Sequence, residues 1–136
     1  MTISEAELAR VADVLDALGG LDALWVFGSE ASGTAAPTSD VDLAALFTSR
    51  PSPPALLVAR GDLEALLGRA VDLVDLERAS PLLAMQVVRH GHLLSDRAPS
   101  HRLRFLTSLP GRYEDVVRLR RAGERLLLSR LQHGRT

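Results

Sequence analysis

Apolar positions near the start of the chain recur every three to four residues, at Ile3, Leu8, Val11, Leu15 and Leu18. That is the period of a helix with one buried face. Ser4, with Glu7 three residues on, has capping-box spacing, and Gly19-Gly20 closes the segment, so a helix is predicted over Ile3 to Leu18. Leu24 to Phe27 is a short apolar run of strand type that ends abruptly at Gly28-Ser29. Glu30 to Thr38 is small and polar, with Gly33 and Pro37, and reads as a short helical turn followed by a loop. From Asp40 to Phe47 the period changes to two. Val41, Leu43, Ala45 and Phe47 point one way, and Asp40 and Asp42 the other.

Arg50-Pro51-Ser52-Pro53-Pro54 is a hard break. Beyond it the pattern predicts a helix over Ala55 to Leu67, weakened by Gly61, and a third strand over Ala70 to Leu76. A helix over Ser80 to Arg89 follows, with Ser80 as N-cap and Pro81 at its first position. After Gly91 comes a short edge strand, His92 to Ser95, and after Pro99 two helices, Ser100 to Leu109 and Arg112 to Leu131. There is no internal repeat. The order α-β-α-β-α-β-α-β-α-α specifies a layered α/β or α+β design.

At 136 residues and 46% hydrophobic, the chain is long enough for one compact domain with a real core. It has no cysteine, which excludes a disulfide scaffold or a thiolate metal site. No apolar run reaches the roughly 18–20 residues of a membrane span. Glu5, Glu7, Asp13 and Asp16 make the N-terminus unlike a signal peptide, so a cytoplasmic protein is expected. All sixteen basic residues are arginine, so gripping a phosphate falls to Arg, backbone amides or a metal.

The net charge of -1 hides a division. Residues 1–96 hold 6 Arg against 14 acids, and residues 97–136 hold 10 Arg against 3. This divides the single domain into a core, 1–96, and a basic helical extension, 97–136, packed on it. The acidic part suits metal ions, and the basic part suits phosphate or an acidic partner. On the last helix Val116, Leu119, Gly123, Leu126, Leu127 and Leu131 form an apolar stripe, with Arg118, Arg121 and Arg125 on another face. His90 and His92 read as part of a solvated turn, and Trp25 as core. Direct nucleic-acid binding is not expected, since there is no stacking series of aromatics.

The chemistry gathers at Gly28-Ser29 and, ten residues on, Asp40-Val41-Asp42. A glycine at a strand end admits a close ligand. The serine after it opens a helical turn whose amides and hydroxyl favour an anion such as phosphate. Asp40 and Asp42, two apart on one strand, aim both carboxylates to the same side. Two such charges about 4 Å apart repel by about 4 kcal/mol at an effective dielectric near 20, which calls for a cation, and magnesium is the natural one. A third carboxylate would complete a two-metal site. Asp72 and Asp75 are three apart and face opposite sides of their strand, so only one can join. Asp72, near the strand start, is preferred, and Asp75 is the alternative, with a surface position or a salt bridge to Arg78 as its plainer role.

Val26-Phe27-Gly28-Ser29, then Ser39-Asp40-Val41-Asp42-Leu43, then Val71-Asp72-Leu73-Val74 resembles the polymerase-β-type nucleotidyltransferase superfamily. The small size resembles its minimal nucleotidyltransferase group, which includes MntA-type antitoxins paired with HEPN-domain HepT toxins. The resemblance implies a small mixed β-sheet packed by helices. It implies that Asp40 and Asp42 bind two Mg2+ ions, that Asp72 holds one of them and acts as general base, and that Gly28 and Ser29 hold the terminal phosphates of ATP. The implied reaction is transfer of AMP to a hydroxyl, a tyrosine of the HEPN-domain toxin in the antitoxin members. A small-molecule nucleotidyltransferase and a non-catalytic binding partner on the same fold are the alternatives. One departure is visible. The family often carries arginine shortly after the serine, whereas here Ser32 takes its place and Glu30 is expected to add negative charge near the triphosphate.

Overall fold

The structure is a computed structural model and describes residues 3–33 and 40–133. Helix α1 (Glu5–Asp16) opens on the capping box, with the Ser4 hydroxyl accepting from Glu7 N–H and the Glu7 carboxylate accepting from Ser4 N–H. Strand β1 (Leu21–Phe27) follows the two glycines. It starts three residues before the apolar run, because Asp22 is tied into the fold by side-chain bonds rather than left to solvent. The Thr48 hydroxyl donates to Asp22 at 2.5 Å, and His101 Nδ1 lies 2.6 Å from its other oxygen. Then come a one-turn helix α2 (Ser29–Ser32), strand β2 (Val41–Phe47) and helix α3 (Pro53–Leu67). Of the turn and loop predicted up to Thr38, residues 34–38 lie outside the described residues, as does Ser39. Helix α3 begins two residues earlier than its apolar pattern, because Ser52 caps it and prolines suit the first turn, where the N–H groups have no helical partner.

Strand β3 (Val71–Asp75), helix α4 (Pro81–His90) and strand β4 (His92–Asp96) come next. Ser80 caps α4 by accepting from Leu83 N–H. The final element is one helix, α5 (Pro99–His133), and here the sequence expectation of two helices is corrected. Pro110 lies inside it. A proline removes one backbone bond and crowds the preceding turn, yet side chains brace α5 across this point. Arg112 donates to the Ser108 hydroxyl, which donates to the Phe105 carbonyl, and the Arg112 guanidinium sits over the Phe105 ring. Pro110 itself is exposed while Leu109 is buried, so the crowding falls on the solvent side.

The sheet order is β3-β2-β1-β4, with β1 antiparallel to both β2 and β4 and β2 parallel to β3. The sheet is mixed, and β4 is an edge strand as its position after Gly91 predicts. Each face carries its own core. On one, Leu21, Leu24, Val26, Val41, Leu43, Ala45 and Phe47 meet α1 and α3 through Val11, Leu15 and Leu63. On the other, Ala23, Trp25, Ala44 and Leu46 meet α4 and α5 through Val87, Phe105 and Leu109. A register shift between Leu21 and Ala23 places Leu21 and Leu24 on the same face despite their odd spacing. The first turns of α5 are anchored by His101, which lies between Asp22 and Glu77 at 2.6 and 2.8 Å. Beyond Val117 α5 leaves the core, and Leu119, Leu126, Leu127 and Leu131 are 56–72% exposed. No helix among the described residues is long and apolar enough to cross a membrane.

Candidate active site

Strand β1 ends at Phe27, which pairs with Asp42 at the start of β2. Asp42 in turn pairs with Asp72 on parallel β3. The alternation that buries Ala44 and Leu46 under α4 and α5 turns Asp42 to that same side of the sheet, and Asp72 shares a side with Val74 of the same core. Two carboxylates therefore stand side by side at one pole of the sheet. Asp42 is half-buried, whereas Asp40, one residue ahead of β2, and Asp72 are exposed. Burial pushes the Asp42 carboxyl above its ordinary range, and the charges of Asp72 and then Asp40 push it further. All three predicted carboxylates thus act on one locus.

Asp75, the alternative third acid, is placed elsewhere. It pairs with Ala45 and is buried, and its carboxylate accepts from Glu77 N–H and faces Arg78 Nε at 3.8 Å. The plainer reading as a partner of Arg78 is the one the structure supports, though in a buried rather than a surface position.

Gly28 has φ +67 and ψ -142, a conformation that side chains rarely adopt, and a Cβ there would run into the Asp42 carboxylate. Its bareness lets the chain turn past Asp42 directly into α2, with no side chain at the N-cap position itself. Ser29 stands at the head of that turn. The Ser32 hydroxyl folds back to donate to the Ser29 carbonyl at 3.2 Å.

The negative charge expected from Glu30 near a triphosphate is corrected. Glu30 is only 2% exposed and points into the protein, where its carboxylate meets the Arg69 guanidinium at 2.5 Å. A second tie holds α2, with His92 Nε2 at 2.7 Å from the Ala31 carbonyl. Arg69 is a residue of the site region that the sequence pattern does not single out, and His92, read as part of a solvated turn, instead opens β4 and bonds α2. Both act across the sheet, at sequence separations no periodicity encodes.

Among the described residues no three acidic or imidazole side chains converge into a preformed metal cage. The donor set still suits magnesium. It is all carboxylate, two of its members are adjacent in register, and Asp42 is held in an environment that an added cation would relieve. Magnesium usually takes one or two carboxylates and completes its shell with waters and substrate phosphates.

A mixed four-stranded sheet with a glycine turn against a carboxylate pair is the arrangement of a nucleotidyltransferase core. A family model described as Polymerase beta, Nucleotidyltransferase matches residues 10–100, and the chain belongs to that family. It is 37% identical over 79 residues to the protein adenylyltransferase MntA of Shewanella oneidensis, a match covering 58% of this chain and 57% of that protein. The chain thus spans little more than half the length of that curated relative. Among solved structures, it is similar to a chain in the crystal structure of a toxin-antitoxin with AMP-PNP, with TM-score 0.78 and 28% identity over 93% of this chain and 99% of that one. It is also similar to a minimal nucleotidyltransferase, with TM-score 0.54 and 32% identity over 64% of this chain and 88% of that one.

Proposed function

We propose that the chain is an antitoxin nucleotidyltransferase that transfers AMP from ATP to a hydroxyl, a tyrosine, of a HEPN-domain toxin and so silences it. The observation that carries this reading is the juxtaposition of Gly28 with Asp42 and of Asp42 with Asp72. An unobstructed glycine turn next to paired carboxylates suits a polyphosphate chain with its cation. The relatives supply the direction. One is named a protein adenylyltransferase, and another chain is found in a toxin-antitoxin structure with an ATP analogue.

In this reading Asp40, Asp42 and Asp72 hold two magnesium ions, which when bound neutralise the phosphates and stabilise charge building on the reacting oxygens. Gly28 and the amides at Ser29 hold the terminal phosphates. Asp72, exposed at the edge of the carboxylate pair, takes the proton from the incoming hydroxyl. That oxygen bonds to the α-phosphorus of ATP, the bond to the bridging oxygen breaks, and pyrophosphate leaves. The product is a phosphodiester between AMP and the tyrosine. The basic extension, residues 97–136, meets the toxin, with the exposed leucines of α5 and the neighbouring Arg118, Arg121 and Arg125 as the contact face. The cytoplasm, rich in magnesium and ATP, is the expected compartment.

The test is incubation of the chain with magnesium, labelled ATP and the cognate HEPN-domain toxin. Label should pass to the toxin, and Asp42→Ala should abolish the transfer. Transfer that survives in Asp42→Ala would refute the metal assignment, and no transfer from the wild-type chain would refute the activity.

A further inference from the structure

Helix α2 has four residues and is closed by two helical bonds, from Ser32 N–H to the Gly28 carbonyl and from Gly33 N–H to the Ser29 carbonyl. A single turn is too short to be stable by itself, because so few bonds do not offset the entropy of forming it. Its position must be imposed from outside. Two polar ties do this. In one the Glu30 carboxylate meets Arg69 at 2.5 Å, with side chains 0% and 10% exposed. In the other, His92 at the head of edge strand β4 bonds the Ala31 carbonyl.

The first tie has the greater consequence. Glu30 directly follows Ser29, and Arg69 stands three residues before Asp72. The pair therefore links the glycine-serine turn to the strand that brings the third carboxylate. As a source of stability it is a poor choice, since taking both charges out of water costs about as much as their attraction returns, and an apolar pair of similar volume would serve as well. What an apolar pair would lack is a directed contact that fixes separation. Here one Arg69 nitrogen meets one Glu30 oxygen with both side chains nearly closed off from water, so the attraction holds the two segments together.

We propose that Glu30 and Arg69 form a positioning pair, which sets the phosphate-binding turn at working distance from the carboxylates of β2 and β3. Its ligand is the triphosphate of a nucleotide, so the inference rests on the function proposed above. The pair also gives Glu30 a role that keeps its charge away from the phosphates. Neither residue touches substrate. Both act through the placement of Ser29 and its amides.

The experiment is a calorimetric titration with AMP-PNP and magnesium, which needs no acceptor, alongside thermal melting. Wild type, Glu30→Gln, Arg69→Met and the conservative Arg69→Lys are compared. Glu30→Gln and Arg69→Met should weaken nucleotide binding about tenfold or more, the scale on which small misplacements act at such sites, and Arg69→Lys should recover part of the loss. In transfer assays the same variants should raise KM for ATP more than they lower kcat. Variants that melt earlier yet bind AMP-PNP as wild type does would overturn the proposal and leave the pair a structural one. A wild-type chain that binds no AMP-PNP would bring down the nucleotide site itself, a result distinct from the first.

Discussion

Gly28 and Asp42 share one space: a Cβ on the glycine would overlap a carboxylate oxygen of the aspartate. The glycine turn and the acid are thus packed against each other, and neither can change without disturbing its neighbour. Gly28→Ala combines this collision with a sparsely populated backbone conformation that costs an L-residue about 1–3 kcal/mol. Melting should fall by several degrees, and AMP transfer should drop at least tenfold. A variant with wild-type transfer would show that the turn has room the structure does not give it.

Asp42 should be a residue whose removal stabilises the chain. Burial first, and then Asp72 and Asp40, raise its carboxyl above the ordinary range. The folded chain therefore holds a proton that the unfolded chain has lost, and in that pH window the metal-free protein loses stability as pH rises. At neutral pH Asp42→Asn removes the uncomfortable charge. Screening of a half-exposed site limits the gain to about 3 °C or less, the scale of one kcal/mol in a chain of this size. The same variant should abolish transfer. Added magnesium should raise the melting temperature of wild type and leave Asp42→Asn nearly unmoved. A destabilised Asp42→Asn would contradict this account.

Asp72 and Asp75 can be separated directly. Asp72→Asn keeps the shape but removes the proton acceptor of the proposed mechanism, and a general base is worth about 100-fold or more in rate. Asp75→Asn keeps an oxygen for the Glu77 N–H and removes a buried charge that burial already disfavours. Rate measurements on the two should show near-complete loss in the first and near wild-type transfer in the second, and the reverse result would exchange their roles.

The exposed leucines of α5 offer a test of partner contact. Leu127→Asp with Leu131→Asp alters side chains 58–59% exposed, so melting should stay within about 0.5 kcal/mol of wild type. Co-purification with the HEPN-domain toxin should be lost, while AMP-PNP binding is kept. A complex that survives both changes would place the contact elsewhere on the chain.

Much of this architecture was readable along the chain because local pattern encodes it. Alternation through Val41–Phe47 fixed which way Asp42 faces, and Ser4 and Ser80 mark helix starts where their hydroxyls cap, whereas Ser52 read as part of a break and proves to cap α3. Strand parity lets only one of Asp72 and Asp75 face Asp42, and in the register it is Asp72 that pairs with it. What stayed hidden depends on residues far apart in sequence. Glu30 read as a charge on the surface of a polar turn, since nothing nearby announces Arg69. Asp22 delayed the apparent start of β1, since His101 and Thr48, which bond it, come from other elements. Pro110 read as a break because its cost is local and visible, whereas the bracing of Arg112, Ser108 and Phe105 around it depends on side-chain geometry.

At about 1.5 Å per residue, the 35 residues of α5 extend roughly 50 Å. The helix is moored at one end, where His101, Phe105 and Leu109 seat it. The rest is a lever arm: a small rotation at the moorings becomes a displacement of several ångströms at Leu131. A protein gripping the far end would have mechanical advantage over Phe105 and Leu109, which lie against the same sheet face that bears Asp42. On the function proposed above, a partner held at the far end would bear through this one helix on the sheet that carries Asp42.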